Sequence, residues 1–171
     1  MSHDAVTKLL FELHKQRDVD EKPFNEYAEI LAARDRVYAK FQNRFSQEGI
    51  GQLSAEEFRE FLSFKHNEHW TGLQRSTAKA TADMPRLHRA LEYLFDESVP
   101  LADRIDTLTD TNSRFYIHGV NKAVLTPLLL IRFPEKYGVW NGKAEAALKS
   151  LAVWPAFRKG ATLGEKYVRV N

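Results

Sequence analysis

The chain contains no cysteine among its 171 residues. That absence excludes disulfide bonds, thiolate nucleophiles and zinc sites with cysteine ligands. The sequence also has no apolar run near the roughly 18 residues that a membrane-spanning helix needs. Residues 1–13 carry too many charges for a signal peptide. We therefore expect a cytoplasmic protein with no membrane partner.

Motifs of several common enzyme classes are also missing. The sequence has no phosphate-binding P-loop, no GxSxG nucleophile motif and no dinucleotide-binding glycine motif. These absences argue against nucleotide hydrolysis and redox chemistry. We therefore expect no bound cofactor.

The composition is that of a globular protein, with 43% hydrophobic and 12% aromatic residues. A chain of this length can bury one substantial core, so residues 1–171 are expected to form a single domain. Apolar residues recur at helical spacing through most of the sequence, which predicts an all-α helical bundle. Helices are predicted over Ala5–Gln16, over a segment with apolar positions from Tyr27 to Phe41, after a capping box at Ser54–Glu57, over Met84–Asp96, after Pro100 and over about 142–151. Small and polar residues near 71–83 predict a loop, and Pro155, Gly160 and Gly164 interrupt the last segment.

Charge is divided unevenly along the chain, although the net charge is only +2. Residues 1–113 carry 15 Lys and Arg against 20 Asp and Glu, a net charge of −5. Residues 114–171 carry 10 against 3, a net charge of +7. A basic surface of this kind attracts nucleic-acid phosphates by displacing their counterions, although solvated surface charge is the alternative.

The segment from Phe115 to Arg132 is the most informative in the chain, because an apolar run breaks at Gly119 and resumes as a helix-like run. This is the outline of a helix-hairpin-helix at about residues 115–133. In that motif, main-chain N–H groups of a glycine-containing turn and of the following helix start bind a nucleic-acid phosphate. The alternative is that Gly119 only ends a helix. The residues predicted to contact the DNA backbone are His118, Gly119, Val120, Asn121 and Lys122.

The segment resembles the hairpin of the DNA-glycosylase superfamily, in which a short strand-like or turn segment and another helix follow. Here the follow-on is residues 137–142 and then a helix from Lys143 to Leu151. The resemblance implies a glycosylase-like all-α fold with double-stranded DNA, including DNA with modified bases, as the partner. Pro127 departs from the motif, because a proline inside the second helix either bends that helix or makes it begin later.

Catalytic residues of that superfamily are matched poorly. The resemblance implies an aspartate after the hairpin, where this chain has Trp140 or Asn141, and in some members a lysine, where it has Ala123. Lys122 is one residue away from the lysine position. Glu145 is the one candidate catalytic carboxylate, because it lies one helical turn beyond Asn141. Whether the protein is an enzyme therefore stays open at this point.

A dense polar cluster occupies residues 65–70, with the sequence Lys-His-Asn-Glu-His-Trp. His66 and His69 have the spacing of one helical face, but without cysteine or a HExxH motif they predict no metal site. The interpretation that we favour is a polar cleft for an extruded base, with tryptophan stacking and asparagine hydrogen bonding. The alternative is that both tryptophans are core residues. The pocket candidates are His66, Asn67, His69, Trp70, Arg75, Trp140 and Asn141.

The whole chain is also similar to a family of prokaryotic proteins with FLxFxxNxHWTGLxR, GxxKAxxT and YGVWN motifs, which occur here at 61–75, 119–126 and 137–141. Some members are joined to further domains in restriction-like contexts. Their counterpart of the final GEKYVRVN continues into another helix. The resemblance implies that this chain is the N-terminal module of a longer protein, with an appended catalytic domain or a partner nuclease.

Three hypotheses about function follow from these patterns. The first is a helix-hairpin-helix DNA-binding module that recognises a modified or flipped base in phage defence or restriction. The second is a DNA glycosylase that excises a modified base. The third is a helical protein-interaction domain whose basic half meets an acidic partner.

Overall fold

The computed structural model describes residues 22–171. The chain divides into two compact units, Met1–Arg36 and Val37–Asn171, and the boundary falls within one long helix, α1 (Lys22–Phe41). The described part of the first unit is helical, and its Arg34 and Asp35 side chains form an ion pair of 2.8 Å. The helix predicted over Ala5–Gln16 lies outside the described residues.

The second unit contains the C-terminal end of α1 and nine further α-helices in the described chain. None of the described residues forms a β-strand, so the predicted all-α fold is confirmed there. None of the described helices is long and apolar enough to cross a membrane. In chain order the elements are α2 (Gln47–Gln52), α3 (Ala55–Leu62), α4 (Phe64–Asn67), a 3-10 turn (Leu73–Ser76), α5 (Thr77–Ala80), α6 (Met84–Phe95), α7 (Leu101–Thr109), α8 (Lys122–Arg132), α9 (Gly142–Ser150) and α10 (Leu163–Val170).

Aromatic side chains form the core around α3. The Phe61 ring centroid lies 5.5 Å from that of Phe41, 5.0 Å from that of Phe45 and 5.9 Å from that of Trp70. The first two pairs are edge-to-face, the arrangement that the aromatic quadrupole favours. This cluster fixes the chain on either side of the polar 65–70 segment.

The start of α3 is the predicted capping box. The Ser54 hydroxyl accepts a hydrogen bond from the Glu57 N–H at 3.1 Å, and the Glu57 carboxylate accepts one from the Ser54 N–H at 2.9 Å. These bonds satisfy two N–H groups that a helix start leaves without intrahelical partners. They also hold the pKa of the Glu57 carboxyl below its ordinary value, chiefly through the Ser54 N–H.

The most buried helix is α8, which begins at Lys122 and continues through Pro127. Thr126 is a polar residue within this apolar helix, and its hydroxyl donates to the Lys122 carbonyl at 2.8 Å. The same hydroxyl accepts the Trp140 N–H at 3.0 Å and so ties the chain after α8 to the helix. The buried residues of α8 are Val124, Leu125, Thr126, Pro127, Leu128, Leu129 and Ile131.

The helices α7 and α10 approach each other closely. A Cβ atom on Gly164 of α10 would lie 2.1 Å from the Ala102 carbonyl oxygen of α7, so only glycine allows this separation. The Gly164 N–H donates to the Asp106 carboxylate of α7 at 2.7 Å. A capping box of Thr162 and Glu165 begins α10, and a helix was not expected here because Gly164 has the sequence signature of a helix breaker.

The predicted hairpin has its expected form only in its second half. Gly119 lies in a turn and α8 follows it, but residues 115–118 lie in turns or unclassified backbone rather than in a helix. The preceding helix, α7, ends at Thr109. Asp110 accepts hydrogen bonds from the Asn112 N–H at 2.9 Å, and the Ser113 hydroxyl accepts one from the Phe115 N–H at 3.1 Å. These local bonds compete with helical ones and keep the segment in turns.

The loop predicted over 71–83 is partly helical. It contains the 3-10 turn Leu73–Ser76 and the helix α5, and both Leu73 and Ala80 are buried. The loop prediction is therefore wrong for these two elements, because apolar contacts of two residues outweigh the polar composition. The helices predicted over Met84–Asp96 and after Pro100 are confirmed as α6 and α7.

We expect Gly164→Ala to lower the free energy of unfolding by about 1–3 kcal/mol or more, because the added methyl group pushes α10 away from the α7 backbone. Urea unfolding followed by circular dichroism measures this. Gly51→Ala in α2 is the matched control, since no atom lies within 4 Å of its added Cβ. Equal stability of the two variants would contradict the close approach.

Candidate nucleic-acid interface

The turn before α8 has the backbone form that the sequence predicts for Gly119. Its φ is +89°, a left-handed value that favours glycine, and the Val120 N–H donates to the Ile117 carbonyl at 3.0 Å. Asn121 then caps α8, with its side-chain oxygen accepting the Ala123 N–H at 2.9 Å. The neighbouring His118 is exposed on this turn. The chain thus enters α8 through a tight turn with an exposed side.

The start of α9 repeats this cap. Asn141 accepts the Ala144 N–H at 2.9 Å, and its φ and ψ of −128° and 178° match the −130° and −172° of Asn121. A helix start leaves N–H groups without intrahelical acceptors and carries a partial positive charge. Among the described residues, no acceptor is bonded to the N–H groups of Lys122, Gly142 and Lys143.

One cleft of about 370 Å³ joins the two helix starts. Ala123 belongs to the first turn of α8, whereas Gly142 and Lys143 belong to the first turn of α9. Lys143 is exposed and has no ion pair with any described carboxylate. The cleft is lined by His69, Trp70, Thr71, Leu73, Ala123, Asn141, Gly142 and Lys143. Of the predicted base-pocket residues, it therefore brings together His69, Trp70 and Asn141.

Asn67 lies near the cleft residues in sequence, but its side-chain amide has no hydrogen-bonding capacity left for a ligand. Its side chain is 0% exposed and donates to the carbonyls of Phe61 at 2.9 Å and Trp70 at 3.2 Å. Its oxygen accepts the N–H groups of His69 at 3.1 Å and Trp70 at 2.8 Å. An asparagine amide makes about four such bonds at most. Asn67 therefore shapes the loop that presents His69 and Trp70.

His66 and Arg75 do not line the cleft. His66 Nδ1 lies 3.0 Å from the Lys40 ammonium, in a polar group that also contains the ion pair of Lys40 with Glu60 at 3.3 Å. Arg75 is exposed on the 3-10 turn. The structure thus separates these two residues from the other pocket candidates.

Trp140 is a core residue, with 4% of its surface exposed. Its ring is parallel to that of Tyr167 at a centroid distance of 6.5 Å, and the Lys122 ammonium lies 3.9 Å from its centroid. A nucleic-acid base therefore has no open face of Trp140 on which to stack. Trp70 is also buried, at 8% exposure, but it contributes to the cleft wall.

Glu145 lies on α9, and its carboxylate is engaged by two neighbouring side chains. It pairs with Lys149 at 2.7 Å and accepts a long hydrogen bond from the Trp140 indole at 3.4 Å. These two contacts, with the nearby charge of Lys122, hold the pKa of the Glu145 carboxyl below its ordinary value. The carboxylate is therefore ionised at neutral pH, and Glu145 does not line the cleft.

The sequence interpretation missed five cleft residues, which are Thr71, Leu73, Ala123, Gly142 and Lys143. A signal for Lys143 was present, because an asparagine cap precedes a Lys-Ala pair in both Asn121-Lys-Ala and Asn141-Gly-Lys-Ala. No comparable signal identifies Thr71, whose place depends on the loop that Asn67 holds. In the part of the chain that the structure describes, no group of three metal-binding side chains occurs.

Comparison of the chain with protein-family models, with curated proteins and with solved structures finds no match. The function is therefore argued from the geometry of this site.

We expect Asn67→Ala to lower the free energy of unfolding by at least about 3 kcal/mol, because it leaves several buried main-chain groups without partners. Chemical denaturation measures the change. Arg75→Ala is the control, since this exposed side chain makes no hydrogen bond within the described chain. The free energy of unfolding of this variant should stay within about 0.5 kcal/mol of the wild type. A fully stable Asn67→Ala protein would show that the amide has a role other than folding.

Proposed function

We propose that this protein is a DNA-binding module that holds the phosphate backbone at the paired starts of α8 and α9. One observation carries the proposal: residues of two asparagine-capped helix starts, both in the basic half of the chain, line one cleft, and a left-handed glycine turn leads into the first of these helices. The partner proposed is double-stranded DNA, including DNA with modified bases.

The physical basis is the attraction of an anion to a helix start. Free N–H groups point outward there and the helix dipole adds partial positive charge, so a phosphate oxygen is a good acceptor. Lys143 adds a full charge at the cleft, and the left-handed turn at Gly119 leads the chain into the start of α8. The proposed contacts are His118, Gly119, Asn121, Lys122 and Lys143. Val120, which the sequence also predicts as a contact, is buried and its N–H is already bonded to the Ile117 carbonyl.

The basic half offers less free charge than its composition indicates. Lys136 pairs with Glu97, Lys149 pairs with Glu145, and Arg158 pairs with Glu165. Ion pairs reduce the attraction of these three side chains for phosphate. The proposed site therefore depends on a few cations near the cleft rather than on the whole half.

The cleft also bears on the choice between binding and catalysis. Ala123 and Asn141, which the resemblance aligns with the lysine and aspartate positions of glycosylases, both line it. Neither side chain supplies a nucleophile or a carboxylate. The arrangement therefore favours binding over cleavage of a glycosidic bond.

Recognition of a modified or extruded base, in phage defence or restriction, is the finer form of this proposal. The cleft is large enough for one base, and His69, Thr71 and the free amide hydrogens of Asn141 are its polar groups. A base would enter against the edge of Trp70, because neither tryptophan offers an open face. A glycosylase with Glu145 as its carboxylate is the alternative, and the ion pair of Glu145 with Lys149 and its place outside the cleft make it the less favoured one.

We expect DNA affinity to fall steeply with salt, and we expect Lys122→Met and Lys143→Met each to reduce the slope of log K against log salt by about 0.9. Methionine keeps an unbranched side chain of similar length and removes the charge, which at Lys122 also removes the contact of the ammonium with the Trp140 ring. Fluorescence anisotropy with duplexes of unrelated sequence measures both quantities. Lys65→Met, at an exposed position of α4, is the matched control with no expected change. Salt-independent affinity would favour the protein-interaction hypothesis.

We expect no base release from ordinary duplex DNA, because extruding a paired base costs a few kcal/mol and the cleft offers no carboxylate for the sugar cation. Alkali-labile breaks and mass spectrometry of free bases measure release. The same assay on phage DNA with modified bases tests the glycosylase candidate. Release there that Glu145→Gln abolishes, with binding retained, would establish that candidate in place of simple binding.

A further inference from the structure

The C-terminal helix α10 contacts the segment that leads into α9. This segment, residues 136–141, is held at its start by side chains, since Lys136 pairs with Glu97 at 2.8 Å and Tyr137 bonds with Arg104 at 3.0 Å. From Gly138 onward, the segment is held through its main-chain groups. Gly138 is the point where the segment meets α10.

Both main-chain groups of Gly138 bond to α10 or to the residue that follows it. The Asn171 side-chain oxygen accepts the Gly138 N–H at 2.6 Å, and the Tyr167 hydroxyl donates to the Gly138 carbonyl at 2.7 Å. The Asn171 amide also donates to the Lys136 carbonyl at 2.8 Å. Three side-chain hydrogen bonds thus fix a stretch of three residues.

Ring packing extends this contact toward the cleft. Tyr167 is 1% exposed and lies parallel to Trp140, the residue before the Asn141 cap. The helix α10 is itself anchored, because Gly164 packs against α7 and bonds to Asp106. A continuous path of contacts therefore joins α7, α10, residues 138–140 and the start of α9.

We propose that Tyr167 and Asn171 are positioning residues, which set the place of the α9 half of the cleft through their hydrogen bonds to Gly138. Neither residue lines the cleft, so their effect on a ligand is indirect. The expected change in DNA affinity rests on the proposed function, whereas the expected change in the position of residues 138–143 does not. Their loss should move Asn141, Gly142 and Lys143 relative to the start of α8.

Two variants test this inference by ¹H–¹⁵N nuclear magnetic resonance on the full chain. Asn171→Ala removes two hydrogen bonds, and Tyr167→Phe removes one hydroxyl while keeping the ring on Trp140. Both should shift the amide signals of Gly138 and residues 141–143 and leave those of Lys122 and Ala123 in place. Val168→Ala, at a half-exposed position of α10, is the control with no shift at these signals.

Binding to duplex DNA supplies the second measurement. Both variants should bind about three- to tenfold more weakly, with an unchanged salt slope, because no phosphate contact is removed. Unmoved signals at 138–143 in both variants, or unaltered affinity in both, would overturn the inference. If the wild-type chain binds no DNA, the proposed function fails, and the amide shifts decide the positioning role alone. If Asn171→Ala fails to fold, Tyr167→Phe decides it, since that variant retains the core ring.

Discussion

The hydrogen bond from the Trp140 N–H to the Thr126 hydroxyl is the interaction on which the second unit's site depends. It joins the middle of the most buried helix, α8, to the residue that precedes the α9 cap. The Trp140 ring then contacts Trp154 at 6.2 Å and Tyr167 at 6.5 Å between centroids. One buried residue therefore sets where α8, α9 and α10 lie relative to one another.

The starts of α8 and α9 have the same chemistry, and this similarity makes the cleft electrostatically positive. Each is capped by asparagine, each leaves at least one N–H group without an acceptor among the described residues, and each adds a lysine in its first turn. Lys122 lies over an aromatic ring, whereas Lys143 is exposed. The cleft is thus suited to an anion on electrostatic grounds, and its lack of a free carboxylate is the reason for preferring binding to catalysis.

Sequence patterns predicted the amphipathic helices well, because α6 and α7 repeat their apolar residues at helical spacing. They failed where a distant contact decides the structure. Gly164 has the signature of a helix breaker, yet it permits the approach of α10 to the Ala102 backbone. Asn67 has the signature of a ligand-binding amide, yet four main-chain groups use its hydrogen-bonding capacity. The Gly119 turn and the Asn121 cap were predictable, because both depend on neighbouring residues alone.

The burial of Thr126 has a consequence for the dynamics of the cleft. An amide bonded within a core opens only when the surrounding structure unfolds, so the free energy of opening at Trp140 should approach that of the whole unit. The spacing of the two helix starts is therefore a property of the core and not of a surface loop. A ligand of this site would meet a preformed cleft, and its affinity would depend on how well its own shape fits that fixed spacing.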